Sequence, residues 1–323
     1  MVYIDIGSSQ PRQLSFYLAA EEYVARHVDA DDCFFMWQVE PSVIFGRNQL
    51  IENEVNVAYC REHGIRMYRR KSGGGCVYAD MSNVMFSYIT REENVNFTFN
   101  RYMNMLVLVL YRMGIEAKAT GRNDLLIDGR KVSGNAFYHL PGRSIVHGTM
   151  LYDTNMEHMV GAITPSQEKL RSKGVESVRQ HIALLKDYTD MSLEDFKLFV
   201  RSQLCHEEKV LDGDALAQIE RIEKEYLSDA FIYGHNPRYT IVRRRRLEGV
   251  GDMEVRMELK NGIIKEMNLL GDFFIVGDLD LITHRLRGVS LTHEALTEAL
   301  PDDLGSIILH LDRSSFINLL INP

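Results

Sequence analysis

Residues 69–78 read Arg69-Arg70-Lys71-Ser72-Gly73-Gly74-Gly75-Cys76-Val77-Tyr78. Short apolar segments on both sides, 65–68 and 76–79, predict strands. Three consecutive glycines let the backbone approach a ligand and aim N–H groups at an anion, and the adjacent cations favour phosphate or carboxylate. A flexible loop with a basic edge is the alternative, and the flanking strands favour an anion site. The run is not a P-loop, because a strand follows the glycines and the G-x-x-x-x-G-K-[ST] spacing is missing.

A second polar group lies on a predicted hairpin. Asn123 and Asp124 precede the turn signal Asp128-Gly129, and Lys131 follows it. The turn should bring an amide, a carboxylate and an ammonium together. We expect Asp124 near Mg²⁺, and Lys131 on the α-phosphate of a nucleotide and on the substrate carboxylate. A surface salt bridge is the alternative.

Two small residues and one loop complete the candidate site. Gly134 and Ala136 flank Asn135 and would leave room for a ligand against the strand. The segment 173–179 reads Lys-Gly-Val-Glu-Ser-Val-Arg, which alone predicts a loop between helices.

The order of predicted elements indicates a mixed α/β protein. A helix at 12–27 has helical apolar spacing with one polar exception, Glu21. Two hairpins are expected, at 125–132 and 136–152, and helices dominate 156–227. Alternating strands at 253–259 and 263–269 then flank an Asn-Gly turn, and helical segments follow.

The length of 323 residues suits a large domain and a small one, which we place at 1–240 and 241–323. Lys131 and the glycine loop are both expected in the large domain. The region around Pro237 and the run Arg243–Arg246 look like a hinge segment, although a solvated face is the plainer interpretation of four arginines.

Composition excludes several classes. The net charge of −8 argues against general nucleic-acid affinity. The longest apolar run, 105–111, is too short to span a bilayer, and the N-terminus has no leader pattern, so a cytoplasmic protein is expected. The four cysteines have no metal-ligand spacing and are expected to be free thiols.

Together these segments resemble the lipoate–protein ligase family. The family's R-R-x-S-G-G-G signature matches residues 69–75, and its Asn-Asp and K-x-x-G-x-A signatures match 123–124 and 131–136. His147-Gly148-Thr149 and the segment 173–178 match two further motifs. The family often has His-Asp-x-Gly-Asn where this chain has 79–83, ending in Asn83, and often has an arginine where this chain has Tyr138.

The resemblance implies a fold related to biotin ligases and class II synthetases, with a small C-terminal α/β domain. It implies an ATP-dependent, Mg²⁺-using enzyme that makes lipoyl-AMP, with Lys131 catalytic. The implied acceptors are lipoyl domains of 2-oxoacid dehydrogenase E2 subunits and the glycine-cleavage H protein, with no nucleic acid and no membrane. The residues implied to bind ATP and lipoyl-AMP are Arg70, Gly75, Cys76, Val77, Tyr78, Asn83, Asn123, Asp124, Lys131, Ser177 and Val178. Those implied to bind lipoate are Ser72, Gly73, Gly74, Gly75, Lys131, Gly134, Ala136 and His147.

Three other functions are alternatives to this one. A biotin–protein ligase should carry a G-R-G-R-type loop where this chain has Ser-Gly-Gly-Gly. A thioester-forming acyltransferase needs an activated cysteine, and 131–149 contains none, so that Cys76 is the only thiol near the expected site. A binding protein with a decayed site should have lost Lys131 or a glycine. An enzyme that only uses ready-made lipoyl-AMP stays open, as does octanoate as a substrate.

Overall fold

The computed structural model describes residues 1–7, 11–120, 123–163, 181–233 and 241–322. The chain divides into two compact units. The larger comprises Met1–Phe45, Ile51–Arg70 and Cys76–Ile232, and the smaller comprises Tyr233–Pro323 with two short loops, Gly46–Leu50 and Lys71–Gly75. By its contacts the glycine loop groups with the C-terminal residues, whereas Lys131 lies in the larger unit. The domain boundary at residue 240 stays a prediction.

The larger unit is built on one sheet of mixed strand direction. Its strands are β1 Val2–Asp5, β2 Asp32–Trp37, β6 Val84–Thr90, β7 Ala117–Ala119, β8 Asp124–Ile127, β9 Arg130–Leu140, β10 Arg143–Met150 and β11 Glu207–Val210. They lie in the order β11-β1-β2-β6-β10-β9-β8-β7. β1 runs parallel to both of its neighbours, and the other pairs are antiparallel. The expected mixed α/β class is confirmed.

A second, three-stranded sheet brackets the glycine loop. It contains β3 Ser42–Phe45, β4 Arg66–Arg69 and β5 Val77–Ala79, with β3 between the other two. The strands predicted on either side of the glycines are thus confirmed. Among the described residues before 234, the helices are α1 Leu14–His27, α2 Ile51–Glu54, α3 Val57–Glu62, α4 Val95–Arg112, α5 Met156–Ala162, α6 Leu193–Leu204, α7 Gly213–Tyr226 and α8 Asp229–Tyr233, with a 3₁₀ turn at Leu185–Tyr188.

Helix α1 forms much of the core of the larger unit. Its apolar side chains, including Leu14, Leu18 and Val24, are almost fully buried, and the helix contacts β6, β10 and α7. Glu21 lies among them and is also fully buried. A buried carboxylate needs hydrogen-bonding partners, so other polar side chains are expected to contact Glu21.

The smaller unit has its own antiparallel sheet and core. The sheet consists of β12 Ile241–Leu247, β13 Gly251–Lys260 and β14 Ile263–Gly271, and the helices are α9 Asp280–Thr283, α10 His293–Ala299 and α11 Arg313–Ile321. Asn261 and Gly262 have φ of 54° and 75°, which confirms the predicted turn. Arg243–Arg246 of the predicted hinge segment lie within β12 and not in a linker, which corrects that part of the prediction. The region around Pro237 lies outside the described residues.

Two strands differ from the pattern in the sequence. β9 is one strand of 11 residues where two short ones were expected. The reason is that Gly134 and Asn135 pair on both sides. On one side they pair with β10, and on the other Gly134 pairs with Asp124 of β8 and the Asn135 N–H donates to the Asn123 carbonyl. β11 lies within a region assigned to helices. None of the helices in the described parts of the chain has the length and apolarity needed to cross a membrane.

Candidate active site

The hairpin of β8 and β9 brings Asp124 and Lys131 together. Asp128 and Gly129 have φ of 50° and 74°, the geometry of the predicted two-residue turn. The Nζ atom of Lys131 lies 2.8 Å from Oδ1 of Asp124, and the two side chains are 41% and 30% exposed. The expected convergence of carboxylate and ammonium is confirmed. Both side chains are partly exposed, so a ligand could approach them, while Oδ1 of Asp124 is buried beneath the ammonium.

Gly134 provides the space that the Lys131 side chain occupies. A Cβ atom at this position would lie 2.8 Å from Nζ and 2.9 Å from Cε of Lys131. We expected the missing side chain to make room for a ligand, and in this structure the room is taken by the lysine itself. Gly134 therefore sets the position of the ammonium.

Asn123 forms hydrogen bonds with the backbone of the neighbouring strand. Its Nδ2 donates to the Asn135 carbonyl at 3.1 Å, while Nδ2 of Asn135 donates back to the Asn123 carbonyl at 3.1 Å. Gly148 on β10 leaves room for the Asn135 side chain, since a Cβ there would lie 1.9 Å from Asn135 Oδ1. These amides hold the strand that carries Lys131. Ala136 is buried beside them and pairs with His147.

Arg70 is buried at the end of the small sheet of the larger unit. Its Nη1 donates to the Ile44 carbonyl at 3.0 Å, and its backbone N–H donates to the Phe45 carbonyl at 3.1 Å. Burial lowers the pKa of Arg70 to about 10, so the guanidinium stays charged at neutral pH. Arg69 stacks on the Phe45 ring, 4.7 Å from its centre, and donates to the Ile232 carbonyl.

The glycine loop makes close backbone contacts within the smaller unit. The Gly74 N–H donates to the Phe273 carbonyl at 3.2 Å, and the Arg47 N–H donates to the Ser72 carbonyl at 2.9 Å. A Cβ at Gly73 would lie 2.3 Å from the Phe273 carbonyl oxygen, and one at Gly46 would lie 2.2 Å from the Gly74 oxygen. At Gly73 the structure shows a close approach to another backbone segment, and the role of this glycine in lipoate binding stays a prediction.

The other two glycines of the loop have different constraints. Gly74 has φ of 88°, a conformation that residues with a side chain rarely adopt. Nothing lies within 4 Å of a Cβ at Gly75. Gly75 is thus the glycine whose missing side chain leaves open space.

The turn after β5 is fixed by Asp80 and Asn83. Nδ2 of Asn83 donates to Thr154 Oγ1 at 2.9 Å, and its Oδ1 accepts the Tyr152 N–H at 3.2 Å. Oδ2 of Asp80 accepts the Asn155 N–H at 3.0 Å. Asn83 is fully buried. In this structure its amide ties β5 to the segment after β10.

Cys76, Val77 and Tyr78 carry the chain from the loop into β5. Val77 and Tyr78 pair with Ile44 and Val43 of β3. Burial raises the pKa of the Cys76 thiol well above its usual range, and the Glu54 carboxylate raises it further. Burial likewise raises the pKa of the remaining thiols, Cys33, Cys60 and Cys205. At neutral pH these thiols are protonated and poor nucleophiles.

His147 belongs to a buried polar network that the motif search did not find. Its Nδ1 lies 2.9 Å from the Glu21 carboxylate, which also accepts a hydrogen bond of 2.6 Å from Ser87 Oγ. Trp37 Nε1 in turn donates to Ser87 Oγ at 2.9 Å. The polar exception at Glu21 on an otherwise apolar helix face was the one sequence signal for this network.

A cavity of about 470 Å³ lies in the larger unit beside the strand of Lys131. Ile182, on its wall, forms a bridge with Lys131, and Arg130 follows the hairpin turn. Its lining residues are Arg130, Asp153, Thr154, Asn155, Met156, Glu157, Ile182, Leu184, Lys186 and Asp187. The volume is in the range of small-molecule sites, and both signs of charge line it.

Comparison with known proteins identifies the family. The model of the lipoyl protein ligase A/B catalytic domain matches residues 13–205, and that of the bacterial lipoate protein ligase C-terminus matches residues 236–320. The lipoate-protein ligase LplJ of Bacillus subtilis is 32% identical over 99% of this chain and 100% of its own length. Lipoate–protein ligase 1 of Staphylococcus aureus is 33% identical over 94% and 95%.

The chain belongs to the lipoate–protein ligase family. It contains the catalytic domain of these enzymes followed by their C-terminal domain.

Solved structures share the fold. That of P. falciparum LipL1 in complex with lipoate superposes with a TM-score of 0.80 at 18% identity, covering 99% of this chain and 98% of the other. A lipoate-protein ligase A bound with ATP covers 72% of this chain and 98% of its own, with a TM-score of 0.63 at 20% identity. At these identities the likeness establishes the fold alone.

The residues that the ligase family implies fall into three groups. Arg70, Asn83, Asp124, Lys131 and His147 lie in the larger unit, as do the other predicted residues of 76–78, 123 and 134–136. Ser72–Gly75 lie in the smaller unit. Ser177 and Val178, with the rest of the segment 173–178, lie outside the described residues.

Proposed function

We propose that this ligase activates lipoate with ATP and then transfers the lipoyl group to a lysine of a partner protein. In the first step a lipoate carboxylate oxygen attacks the α-phosphorus of ATP, and the bond to pyrophosphate breaks. In the second, the acceptor amine attacks the carbonyl carbon of lipoyl-AMP, the bond to AMP breaks, and the amine loses a proton. The observation that carries this proposal is the Lys131–Asp124 pair on a solvent-reaching hairpin, within a catalytic domain of this family.

Lys131 is proposed to act on charge in both steps. Lipoate and the α-phosphate are both anions and repel each other until a cation bridges them. An ammonium also stabilises the charge that develops in the transition state, and then the departing AMP. Asp124 holds this ammonium at 2.8 Å, and Gly134 leaves it room. A thioester route has no support, because burial raises the pKa of Cys76 and disfavours its thiolate.

Mg²⁺ is proposed to accompany the nucleotide, with Asp124 as its protein ligand. Mg²⁺ in nucleotide sites usually takes one or two carboxylates together with phosphate oxygens. Asp124 is partly exposed and could supply one carboxylate, and among the described residues no group of three or more His, Cys, Asp or Glu forms a ready-made metal cage. The donor set thus fits a metal that arrives with its phosphates. Bound there, Mg²⁺ would neutralise charge on the phosphates.

The assignments implied by the family signatures are kept as part of the proposal. Arg70, 75–78, Asn83, Asn123, Asp124, Ser177 and Val178 are proposed for ATP and lipoyl-AMP. Ser72–Gly75, Gly134, Ala136 and His147 are proposed for lipoate. The proposed acceptors are E2 lipoyl domains and the glycine-cleavage H protein, and the proposed location is the cytoplasm. In support, a solved archaeal relative, a bi-partite lipoate protein ligase, is described together with its E2 lipoyl domain.

Two parallel assays test the proposal. Lipoylation of an E2 lipoyl domain is measured with ATP, Mg²⁺ and free lipoate, and separately with synthetic lipoyl-AMP alone. Product in both assays is expected, and Lys131→Ala should reduce both. If product forms only in the assay with lipoyl-AMP, the enzyme catalyses transfer but not activation. If neither assay gives product, the proposal is overturned.

A further inference from the structure

Strand β12, residues Ile241–Leu247, forms one edge of the sheet in the smaller unit. It pairs with β13 on one side only, and no other strand of the described residues pairs with its second side. Val242 near its start is 52% exposed, and Arg244, Arg245 and Arg246 are exposed as well. An edge of this kind presents unpaired backbone N–H and C=O groups that can bind another extended chain.

The arginines of β12 lie on both faces of the sheet. Arg244 and Arg246 pair across to Glu254 and Asp252 on one face. Arg243 and Arg245 are on the other face, opposite Val255 and Met253. Those two β13 residues are fully buried, and a neighbouring strand covered by the core on this face would also carry apolar residues at 243 and 245. Both positions are instead arginine, so positive charge lies on both faces of the edge strand.

Most of this charge is not neutralised within the described structure. Arg246 Nη1 lies 3.3 Å from Asp252. Glu254, which faces Arg244 across the ladder, instead accepts from Arg256 Nε at 2.7 Å. Of the described acidic groups, none forms an ion pair with Arg243, Arg244 or Arg245, and Nε of Arg243 is buried with no hydrogen-bond partner.

Protection of the edge against aggregation is a weaker explanation. One charged residue can protect an edge strand, and lysine is the usual choice. Here four consecutive arginines repel one another, and arginine differs from lysine in its weaker hydration and its fork geometry, which matches carboxylates. Their repulsion falls when carboxylates of another molecule bind between them.

We propose that β12 is a docking edge for an acidic, extended segment of the protein that receives the lipoyl group. This inference rests on the proposed function, because it assumes a protein acceptor. The net charge of the whole chain is −8, so the arginines of β12 are a local exception that attracts an acidic partner to this strand. A nucleic acid would also be attracted to the arginines, but it would bring a much longer run of negative charge to a chain of net charge −8.

The test uses the full-length enzyme with an E2 lipoyl domain as acceptor. The variant Arg244→Glu with Arg245→Glu reverses two unpaired charges. The control, Lys265→Glu with Arg285→Glu, reverses two exposed charges elsewhere in this unit that form no ion pair with a described residue. For the first we expect the KM for the lipoyl domain to rise roughly tenfold or more, and its dependence on salt to weaken. ATP–pyrophosphate exchange with free lipoate should stay within about twofold, as should all rates of the second variant.

A neutral variant and a competitor complete the design. Arg244→Gln with Arg245→Gln should give an intermediate KM, and it replaces the charge reversal if that protein does not fold. A glutamate-rich decapeptide should inhibit transfer by the wild type, and less so by the variants, without slowing pyrophosphate exchange. The proposal would be overturned if the KM for the lipoyl domain were unchanged in folded variants, or if it rose equally in the control that contains Arg285→Glu. It would also be overturned if the enzyme bound a single-stranded RNA more tightly than the decapeptide. Loss of pyrophosphate exchange in the wild type would instead count against the proposed function.

Discussion

Gly134→Ala should displace the Lys131 ammonium while leaving the fold intact. An added Cβ would lie 2.8 Å from Lys131 Nζ and 2.9 Å from Cε. Ordinary contacts between such atoms are about 3.5–4.0 Å, so the ammonium must move by roughly 1 Å. The atoms in the way are the far end of a flexible side chain, and Gly134 has no left-handed φ, which means that the backbone need not change.

The substitution should change the stability of the protein only slightly but slow the reaction strongly. Lys131 and Asp124 are 41% and 30% exposed, so loss of their ion pair costs at most about 1 kcal/mol. Alanine also lowers the conformational entropy of the unfolded chain, which stabilises the folded state by about 0.4–1 kcal/mol and offsets much of this loss. The melting temperature should therefore change by only a few degrees. A displacement of 1 Å at a reacting centre can cost about 10², equivalent to roughly 2.7 kcal/mol of transition-state stabilisation.

The assay is lipoate-dependent ATP–pyrophosphate exchange, measured beside a thermal unfolding curve. Gly213→Ala is the matched control, because a Cβ there meets nothing within 4 Å and the position lies at the start of α7. Gly134→Ala with exchange within threefold of the wild type would refute the lysine's proposed placement. A large drop in melting temperature would show instead that the backbone, and not the lysine, yields.

Three further predictions concern substitutions at Lys131, at Cys76 and in the glycine loop. Lys131→Ala should slow adenylation by about 10²–10³ and also slow transfer from lipoyl-AMP; near-normal rates in both half-reactions would contradict the assignment. Cys76→Ala should keep turnover within a few-fold, and mass spectrometry should find no acyl-thioester between pH 7 and 9, because burial raises the pKa of the thiol and keeps it protonated there. Gly73→Ala should increase hydrogen exchange of the Gly74 amide, since the new Cβ would meet the Phe273 carbonyl at 2.3 Å, whereas Gly75→Ala should not; equal exchange in both variants would contradict this account.

The local parts of the site could be predicted from sequence. Asp124 and Lys131 are joined by a two-residue turn, so that pattern and turn chemistry suffice to bring them together. The strands around the glycine loop were predictable for the same reason. β9 was misjudged, because Gly134 and Asn135 have low strand propensity, yet neighbouring strands on both sides pair with them. Tertiary pairing overrides local propensity there.

Contacts between distant parts of the chain could not be predicted in the same way. His147 and Glu21 are 126 residues apart, and only the polar residue on the apolar face of α1 hinted at a partner. β11 carries the sequence Glu-Glu-Lys-Val, which has no strand signature, and it forms because β1 offers it a parallel edge. Motif matching does not reveal such partners, because it compares short segments and not pairs of them.

The glycine loop shows why a signature identifies a site more readily than it explains each residue. Gly73 lacks a side chain because the Phe273 carbonyl occupies its space, and Gly74 because its φ of 88° disfavours a Cβ. At Gly75 the missing side chain leaves open space. Loss of activity on substitution of Gly73 or Gly74 would therefore not by itself report a contact to lipoate, because the backbone geometry already accounts for it. A loss at Gly75 in a folded protein has no such explanation, and it is the substitution in this loop that would report on a ligand.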